Sequence, residues 1–197
     1  GMRMAAALWR FWYTRGHLSE GREWLERLLT LAGSSHGDGL EAVYARTPVA
    51  AGVLASVQGD YERAAVRCEE GLALYQRLGD TQGMAVALNV LGNVAVNLGD
   101  RERAVALSED SLALHRELGD RRGIAVALNN LGFVLLAQGD YTRAKVLCEE
   151  SLALNRVLQD RSGISAALNN LGDIARDQGD YGHASGVLSI RWGNWLR

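Results

Sequence analysis

The sequence Ala-Leu-Asn-Asn-Leu-Gly occurs at residues 127–132 and again at residues 167–172. A close variant, Ala-Leu-Asn-Val-Leu-Gly, occupies residues 87–92, so the three copies begin 40 residues apart. A second phrase, Gly-Asp followed by Tyr or Arg, keeps the same period and starts at Gly59, Gly99, Gly139 and Gly179. Self-similarity at one period of this size is typical of a solenoid, in which small stacked units contact only their neighbours.

Each unit contains two segments whose apolar residues recur at helical spacing. In the third unit, Asp80 is placed to cap a first helix that runs to about Asn97, and Gly99 supplies a left-handed stop. No segment has the alternation of a strand. Small residues recur at one phase of each helix, which indicates close helix packing, since glycine in a helix interior costs about 1 kcal/mol relative to alanine. These residues are Gly52, Gly92, Gly132 and Gly172 on the first helices, and Ala64, Ala104, Ala144 and Ala184 on the second helices.

We therefore predict a single all-α domain over residues 1–197, with about ten helices in five pairs. The first unit is divergent, and its second helix is expected to be capped by Ser19. Pro48 falls inside the first helix of the second unit, so we expect a kink there or a restart with Thr47 as the cap. The predicted units are residues 2–31, 41–80, 81–120, 121–160 and 161–197.

Composition excludes several classes of function. The net charge is −2 and the pI is about 6.1, which argues against a nucleic-acid or anionic-membrane partner. No stretch approaches the ~20 apolar residues of a transmembrane helix, and the first residues lack the pattern of a signal peptide, so a cytoplasmic location is expected. Cys68 and Cys148 occupy one phase two units apart, too far for a disulfide. We interpret both as small core residues.

No arrangement of residues typical of catalysis or metal binding is present in the sequence. The four histidines fall at unrelated phases of the repeat, without metal-ligand spacing, and no catalytic triad or phosphate-binding loop is recognisable. Acidic pairs at residues 69–70, 109–110 and 149–150 share one phase of the second helix, which favours a solvated outer face over paired catalytic carboxylates. We expect no enzyme activity, no cofactor and no metal.

The phrases Asn-Leu-Gly, Gly-Asp-Tyr-x-x-Ala and Ser-Leu-Ala-Leu together resemble the tetratricopeptide repeat. The resemblance is strong over residues 41–188 and weak over residues 4–31, and the 40-residue period exceeds the 34 of the common form. It is similar to the longer-helix version found in spindle-orientation adaptors and in the C-terminal arms of ATPase-linked bacterial transcription regulators. The opening residues 7–12 and 15–21 look most like the second group. The family's proline after the second helix is missing here. The resemblance implies a right-handed α-α superhelix.

In that family, the side of each first helix opposite its packing stripe lines a concave, ligand-binding surface. Here this side is rich in asparagine, whose amide offers two donors and an acceptor to a peptide backbone. An alternative is that Asn130 and Asn170, which match the family consensus, mainly tie helices together. The candidate peptide-binding residues are Asn89, Asn93, Asn97, Asn129, Asn130, Phe133, Leu136, Asn169, Asn170, Asp173 and Arg176.

The resemblance therefore implies a module that binds an extended peptide or partner protein in a groove. The alternative is an effector-sensing arm of a larger regulator, with a small molecule enclosed near Phe133 and Tyr13. Because Arg10 and Arg176 are the only candidate cations of the groove, we expect an internal segment with apolar anchors rather than a free C-terminal carboxylate. All five tryptophans lie near the chain ends, which suggests self-association through a terminal surface.

Overall fold

The computed structural model of the chain describes residues 2–32 and 41–179. Over these residues the chain is helical throughout, with no strand. The helices are α1 (Met2–Arg15), α2 (Leu18–Ala32), α3 (Glu41–Val57), α4 (Tyr61–Leu78), α5 (Thr81–Asn97), α6 (Arg101–Glu117), α7 (Arg121–Gln138), α8 (Tyr141–Val157) and α9 (Arg161–Asp177). The prediction of an all-α fold is confirmed.

The chain divides into two compact units that each contain several repeats: a first unit, Gly1–Asp100, and a second unit, Arg101–Arg197. The first unit contains α1–α5, and the second contains α6–α9. In the first unit, Trp12, Leu25 and Leu54 form a core that joins α1, α2 and α3. In the second unit, Leu128 of α7 and Ile174 of α9 belong to one buried cluster with residues of α6 and α8. Each unit is thus built from first and second helices that alternate along the chain.

The repeated Gly-Asp phrase stops one helix and starts the next. Gly139 has φ 84° and donates its backbone N–H to the carbonyl of Leu136 at 2.9 Å, which ends α7. Asp140 follows, and its side chain accepts from the backbone N–H of Arg143 at 3.1 Å, at the start of α8. Asp80 caps α5 in the same way, through the N–H of Gly83 at 2.9 Å, so the predicted cap is confirmed.

The in-phase small residues mark places where two helices of a pair touch. A Cβ atom added to Gly132 of α7 would lie 2.5 Å from the Cys148 sulfur of α8 and 3.3 Å from the Ala144 carbonyl oxygen. Gly52 faces Cys68 and Ala64 in the same manner in the first unit. Both cysteines are fully buried thiols, as the sequence predicted. The glycines are therefore required by packing between helices.

A second set of close approaches was not anticipated from the sequence. Tyr75, His115 and Asn155 occupy one phase of successive second helices, and each is buried. Each covers a glycine in the first turn of the following helix, where a Cβ atom would collide with its side chain. These glycines are Gly83, Gly123 and Gly163. A large side chain over a glycine thus joins one helix pair to the next.

Two local features differ from what the sequence suggested. Helix α3 continues through Pro48, so of the two alternatives at this proline, a kink or a restart capped by Thr47, the restart does not occur. Both residues are almost completely buried, and that burial offsets a penalty of ~3 kcal/mol for an interior proline. Helix α2 begins at Leu18, so Ser19 lies inside it and is not the cap. The Ser19 hydroxyl oxygen instead accepts from the Gln58 amide at 3.0 Å.

Several predictions concern residues outside the described part of the chain. The predicted tenth helix, Ala184, Trp192 and Trp195 lie beyond residue 179. Among the described helices, none combines the length and the apolar composition required to cross a membrane.

Candidate functional site

In the second unit, the candidate residues lie on α7 and α9, two first helices that contact each other. Asn170 of α9 is buried and donates its side-chain N–H groups to the backbone carbonyl and the side-chain oxygen of Asn129, both at 3.1 Å. Asn170 also forms a hydrogen bond with the Cys148 thiol. The Asn170 amide is therefore engaged inside the protein and ties α9 to α7.

The apolar ring of Phe133 lies on the same helix as the Asn129 amide. Phe133 is 38% exposed on α7, one helical turn after Asn129, and Val126 on the same helix is 44% exposed. Asn129, Asn130 and Leu136 are partly exposed. On α9, Asn169 and Asp173 are also partly exposed and have the same four-residue spacing as Asn129 and Phe133. We call the exposed side of α7 and α9 formed by Val126, Asn129, Phe133, Leu136, Asn169 and Asp173 the amide face.

The cation at the end of this face is already paired. Arg176 makes a 2.8 Å ion pair with Asp173 and a 3.2 Å ion pair with Asp177. The charge of Asp173, with that of Asp177 and its hydrogen bond, raises the pKa of Arg176 above its usual value. A ligand carboxylate would have to compete with two aspartates for this guanidinium. The site therefore offers amides and apolar surface in preference to a free positive charge.

The corresponding side of α5, in the first unit, combines buried and exposed side chains. Asn89 is 7% exposed, and Asn97 donates its side-chain amide to the backbone carbonyl of Asn93 at 2.8 Å. The Asn93 side-chain oxygen is buried without a hydrogen-bond partner. Val86 is 44% exposed on the same helix. The structure thus places exposed apolar surface here, but it leaves Asn89 with little surface for a ligand.

Two clefts lie elsewhere, each lined mainly by second helices. In the second unit, a cleft of about 470 Å³ lies between α6, α7 and α8. Its apolar lining comes mainly from Leu112, Leu131, Val146 and Leu147. In the first unit, a cleft of about 430 Å³ lies between α2, α3 and α4. Neither cleft is lined by a candidate residue from the sequence.

The acidic pairs at residues 69–70, 109–110 and 149–150 lie on the outer surface of the second helices. Their shared phase suggested a solvated surface, and the side chains are indeed exposed. One member of each pair also joins an ion pair with an arginine. Glu109 of α6 lies 3.2 Å from Arg143 of α8, and Glu150 of α8 lies 3.7 Å from Arg116 of α6. Glu109 and Glu150 therefore link two successive second helices, α6 and α8, a role that the repeat phase alone does not indicate.

Two family models described as tetratricopeptide repeat match the chain, one over residues 84–118 and the other over residues 123–188. The chain belongs to the tetratricopeptide repeat family, whose members are protein-interaction modules. No curated protein matches the sequence. Among residues 2–32 and 41–179, no three His, Cys, Asp or Glu side chains form a group that could hold a metal ion.

Solved structures with the same fold have low sequence identity to this chain. BtubC (BKLC) from P. vanneervenii is 21% identical, with a TM-score of 0.76 over 96% of this chain and 77% of that one. A putative kinesin light chain with nearly identical TPR-like repeats from Podosopora anserina is 16% identical, with a TM-score of 0.72 over 98% and 93%. A Rap protein complexed with Competence and Sporulation Factor is 12% identical, with a TM-score of 0.85 over 96% of this chain and 52% of that one. These similarities show the fold.

Proposed function

We propose that the chain is a protein- or peptide-binding module whose amide face holds an extended segment of a partner. The observation that carries this proposal is the exposed Phe133 ring one turn from the Asn129 amide, with Asn169 on the adjacent helix. A peptide backbone presents N–H and C=O groups that side-chain amides pair with, and an apolar anchor supplies the affinity. The face combines both elements.

The ligand is an internal segment with an apolar side chain, and not a free C-terminal carboxylate. The reason is that Arg176 is engaged by Asp173 and Asp177, and the α7 part of the face carries no charge. Binding that relies on neutral amides and apolar contact depends weakly on salt, since few exposed charges are available for screening. Asn93 and Asn97 of α5, with the nearly buried Asn89, are a further set for the same type of contact.

The experiment is a selection from a random peptide library displayed on phage, followed by titration of an enriched peptide. Asn129→Ala should weaken binding by about 1–3 kcal/mol, because truncation leaves a desolvated backbone group unpaired. Phe133→Ala should weaken it through loss of the apolar anchor. The matched control is Val146→Ala, which removes an apolar side chain that is 59% exposed on α8.

The results separate this proposal from the alternative of a small-molecule sensor in a larger regulator. Binding at the amide face is contradicted if Asn129→Ala and Phe133→Ala both bind the enriched peptide as tightly as the wild-type chain does. A steep loss of wild-type binding with added salt contradicts it as well. A library that yields no binder, together with a thermal shift caused by a small metabolite, favours the sensor. The Rap structure with Competence and Sporulation Factor is consistent with ligand binding on this fold, without assigning a ligand to this chain.

We further propose that the chain self-associates through a terminal surface. Of the tryptophans near the start of the chain, Trp12 is 7% exposed and belongs to the core, whereas Trp24 is 49% exposed. Tryptophan is enriched at the energetic centres of protein interfaces, and terminal repeats of a solenoid usually present a polar outer face. Sedimentation equilibrium of the purified chain tests the association, and a monomer at all concentrations contradicts it.

A further inference from the structure

Helix α2 carries a heptad-like stripe on its exposed side. The residues are spaced by three, four, three and four, which is the repeat of a helix that packs lengthwise against another helix. At 1.5 Å per residue, the stripe extends over about 21 Å. Trp24 is 49% exposed, Leu31 is 72% exposed and the Glu20 side chain is 61% exposed. We call this stripe the α2 seam, formed by His17 directly before the helix and by Glu20, Trp24, Arg27 and Leu31 of the helix.

The same phase of α4 is a helix-docking surface. Gly16 and Gly59 are left-handed glycines that precede α2 and α4, so they align the two helices. In that alignment the α2 seam corresponds to five residues of α4 and its cap, and each of them contacts α2 or lines the cleft between α2 and α4. Asp60 forms an ion pair with Arg22 of α2. Arg63 and Arg67 both form ion pairs with Glu26 of α2. Glu70 and Leu74 line the cleft.

In α2 itself this surface faces solvent within the described part of the chain. The seam repeats at helical period, so it fits a helix better than an extended peptide, whose side chains alternate with a period of two. Its apolar members, Trp24 and Leu31, are separated by Arg27, and Glu20 precedes both. The surface therefore combines apolar positions with a fixed order of charge.

That order of charge is self-complementary. The acidic residue Glu20 lies in the first half of the helix and Arg27 lies in the second half. When two copies of α2 run antiparallel about an axis close to Trp24, Glu20 of each copy meets Arg27 of the other, because the two residues lie at nearly equal distances from the axis. The tryptophans then pack at the centre. The Arg27 guanidinium already lies 5.4 Å from the centroid of its own Trp24 ring, close to the proposed axis.

The ends of the seam match in the same arrangement. Leu31 of one copy lies opposite His17 of the other, the same number of residues from the axis. His17 stacks on Phe11, with ring centroids 6.1 Å apart and an interplanar angle of 13°, and Phe11 is 49% exposed. The exposed leucine thus meets an aromatic pair. All five positions of the seam find a complementary position in the second copy.

We infer that a second copy of this chain docks on the α2 seam as an antiparallel, two-fold symmetric pair of α2 helices. This inference rests on the self-association proposed above and gives it a surface and a symmetry. A two-fold contact is closed and repeats each interaction twice, so two Glu20–Arg27 pairs flank the tryptophans. The acidic and basic positions fix the antiparallel direction, because a parallel pairing would place like charges opposite each other.

The test is sedimentation equilibrium of the full chain with charge-reversal variants. Glu20→Arg and Arg27→Glu should each weaken dimerisation by tenfold or more, since each change places like charges together at two symmetric sites. The double variant Glu20→Arg/Arg27→Glu should restore association to near the wild-type value. Trp24→Ala should abolish the dimer. Val66→Ala, at a 52% exposed position on α4, should leave it unchanged, and circular dichroism checks that each variant is folded.

Each other outcome overturns part of the inference. A wild-type monomer at every concentration removes both the self-association and the symmetric seam, and leaves the α2 surface to a different protein or to another segment of a longer chain. A dimer that is insensitive to Trp24→Ala and to both reversals keeps self-association but removes this surface. Weakening by both single reversals without rescue in the double variant removes the antiparallel arrangement.

Discussion

The contact of Gly132 with Cys148 provides a quantitative test of the packing between α7 and α8. In Gly132→Ala, the new Cβ lies 2.5 Å from the Cys148 sulfur and 3.3 Å from the Ala144 carbonyl oxygen. Neither distance is accommodated without movement, because the sulfur is fully buried and the oxygen belongs to the backbone. The substitution should therefore be destabilising, although alanine is the better helix former.

The size of the effect follows from two opposing contributions. Overpacking of a buried site costs about 1–3 kcal/mol. Replacing glycine by alanine inside a helix contributes about 1 kcal/mol of stability. The net loss in the free energy of unfolding should be about 1 kcal/mol. In a Cys148→Ala background only the 3.3 Å approach to the Ala144 oxygen remains, so the same Gly132→Ala change should be less destabilising by about 1 kcal/mol or more.

The assay is a double-mutant cycle measured by urea denaturation of the wild-type chain, both single variants and the double variant. A coupling of about 1 kcal/mol or more is expected between positions 132 and 148, because the two residues are in contact. Gly139→Ala is a useful comparison, since it is disfavoured by its φ of 84° and not by a neighbouring atom, and should be insensitive to Cys148→Ala. A stabilising Gly132→Ala in the wild-type background, or equal effects in both backgrounds, would refute close packing of Gly132 against Cys148.

Three further predictions concern buried and paired groups. Burial raises the pKa of the Cys68 thiol to about 12 and that of Cys148 to about 11, so at pH 8 a disulfide reagent should react only as fast as the chain opens; rapid labelling of the native chain contradicts this. The Arg22 hydrogen bond lowers the pKa of Asp60 below 3.8, so the pair stabilises the fold above that pH, and its contribution is lost as the pH falls through the lower folded value. Thermal melts of Arg22→Gln should therefore show a shallower acid limb than wild-type melts, and identical limbs argue against the pairing. Asn170→Ala should destabilise the fold by about 1–2 kcal/mol in urea denaturation through loss of the bonds to Asn129, whereas an unchanged midpoint would mean that this amide is not a tie.

Much of the fold was predictable because the repeat makes the helical pattern visible several times. The Gly-Asp phrase predicted helix ends, and the left-handed Gly139 with the capping Asp140 shows why. Gly132 and its equivalents predicted close helix contacts for the same reason. The failures occur where tertiary packing overrides a local signal. Helix α3 continues through the completely buried Pro48, so the restart at Thr47 that the local rule for proline allowed does not occur.

The candidate site was less predictable from the sequence than the fold was. Helical spacing placed the asparagines on one side of each first helix, but spacing does not distinguish a buried amide from an exposed one. Asn170 is buried and bonds Asn129, whereas Asn129 and Phe133 keep exposed surface. The α2 seam was not predicted either. Its signal was present in the three-four spacing from His17 to Leu31, and the exposure of Trp24 makes it visible.

The most direct test of the central claim is a backbone amide NMR map of the chain titrated with a peptide selected from the random library. Binding at the amide face should give the largest shifts on α7 and α9, at Asn129, Phe133 and Asn169, with little change on the second helices. Shifts concentrated at Val146 and Leu147, which line the cleft between α6, α7 and α8, would place the ligand on the opposite side and contradict the claim.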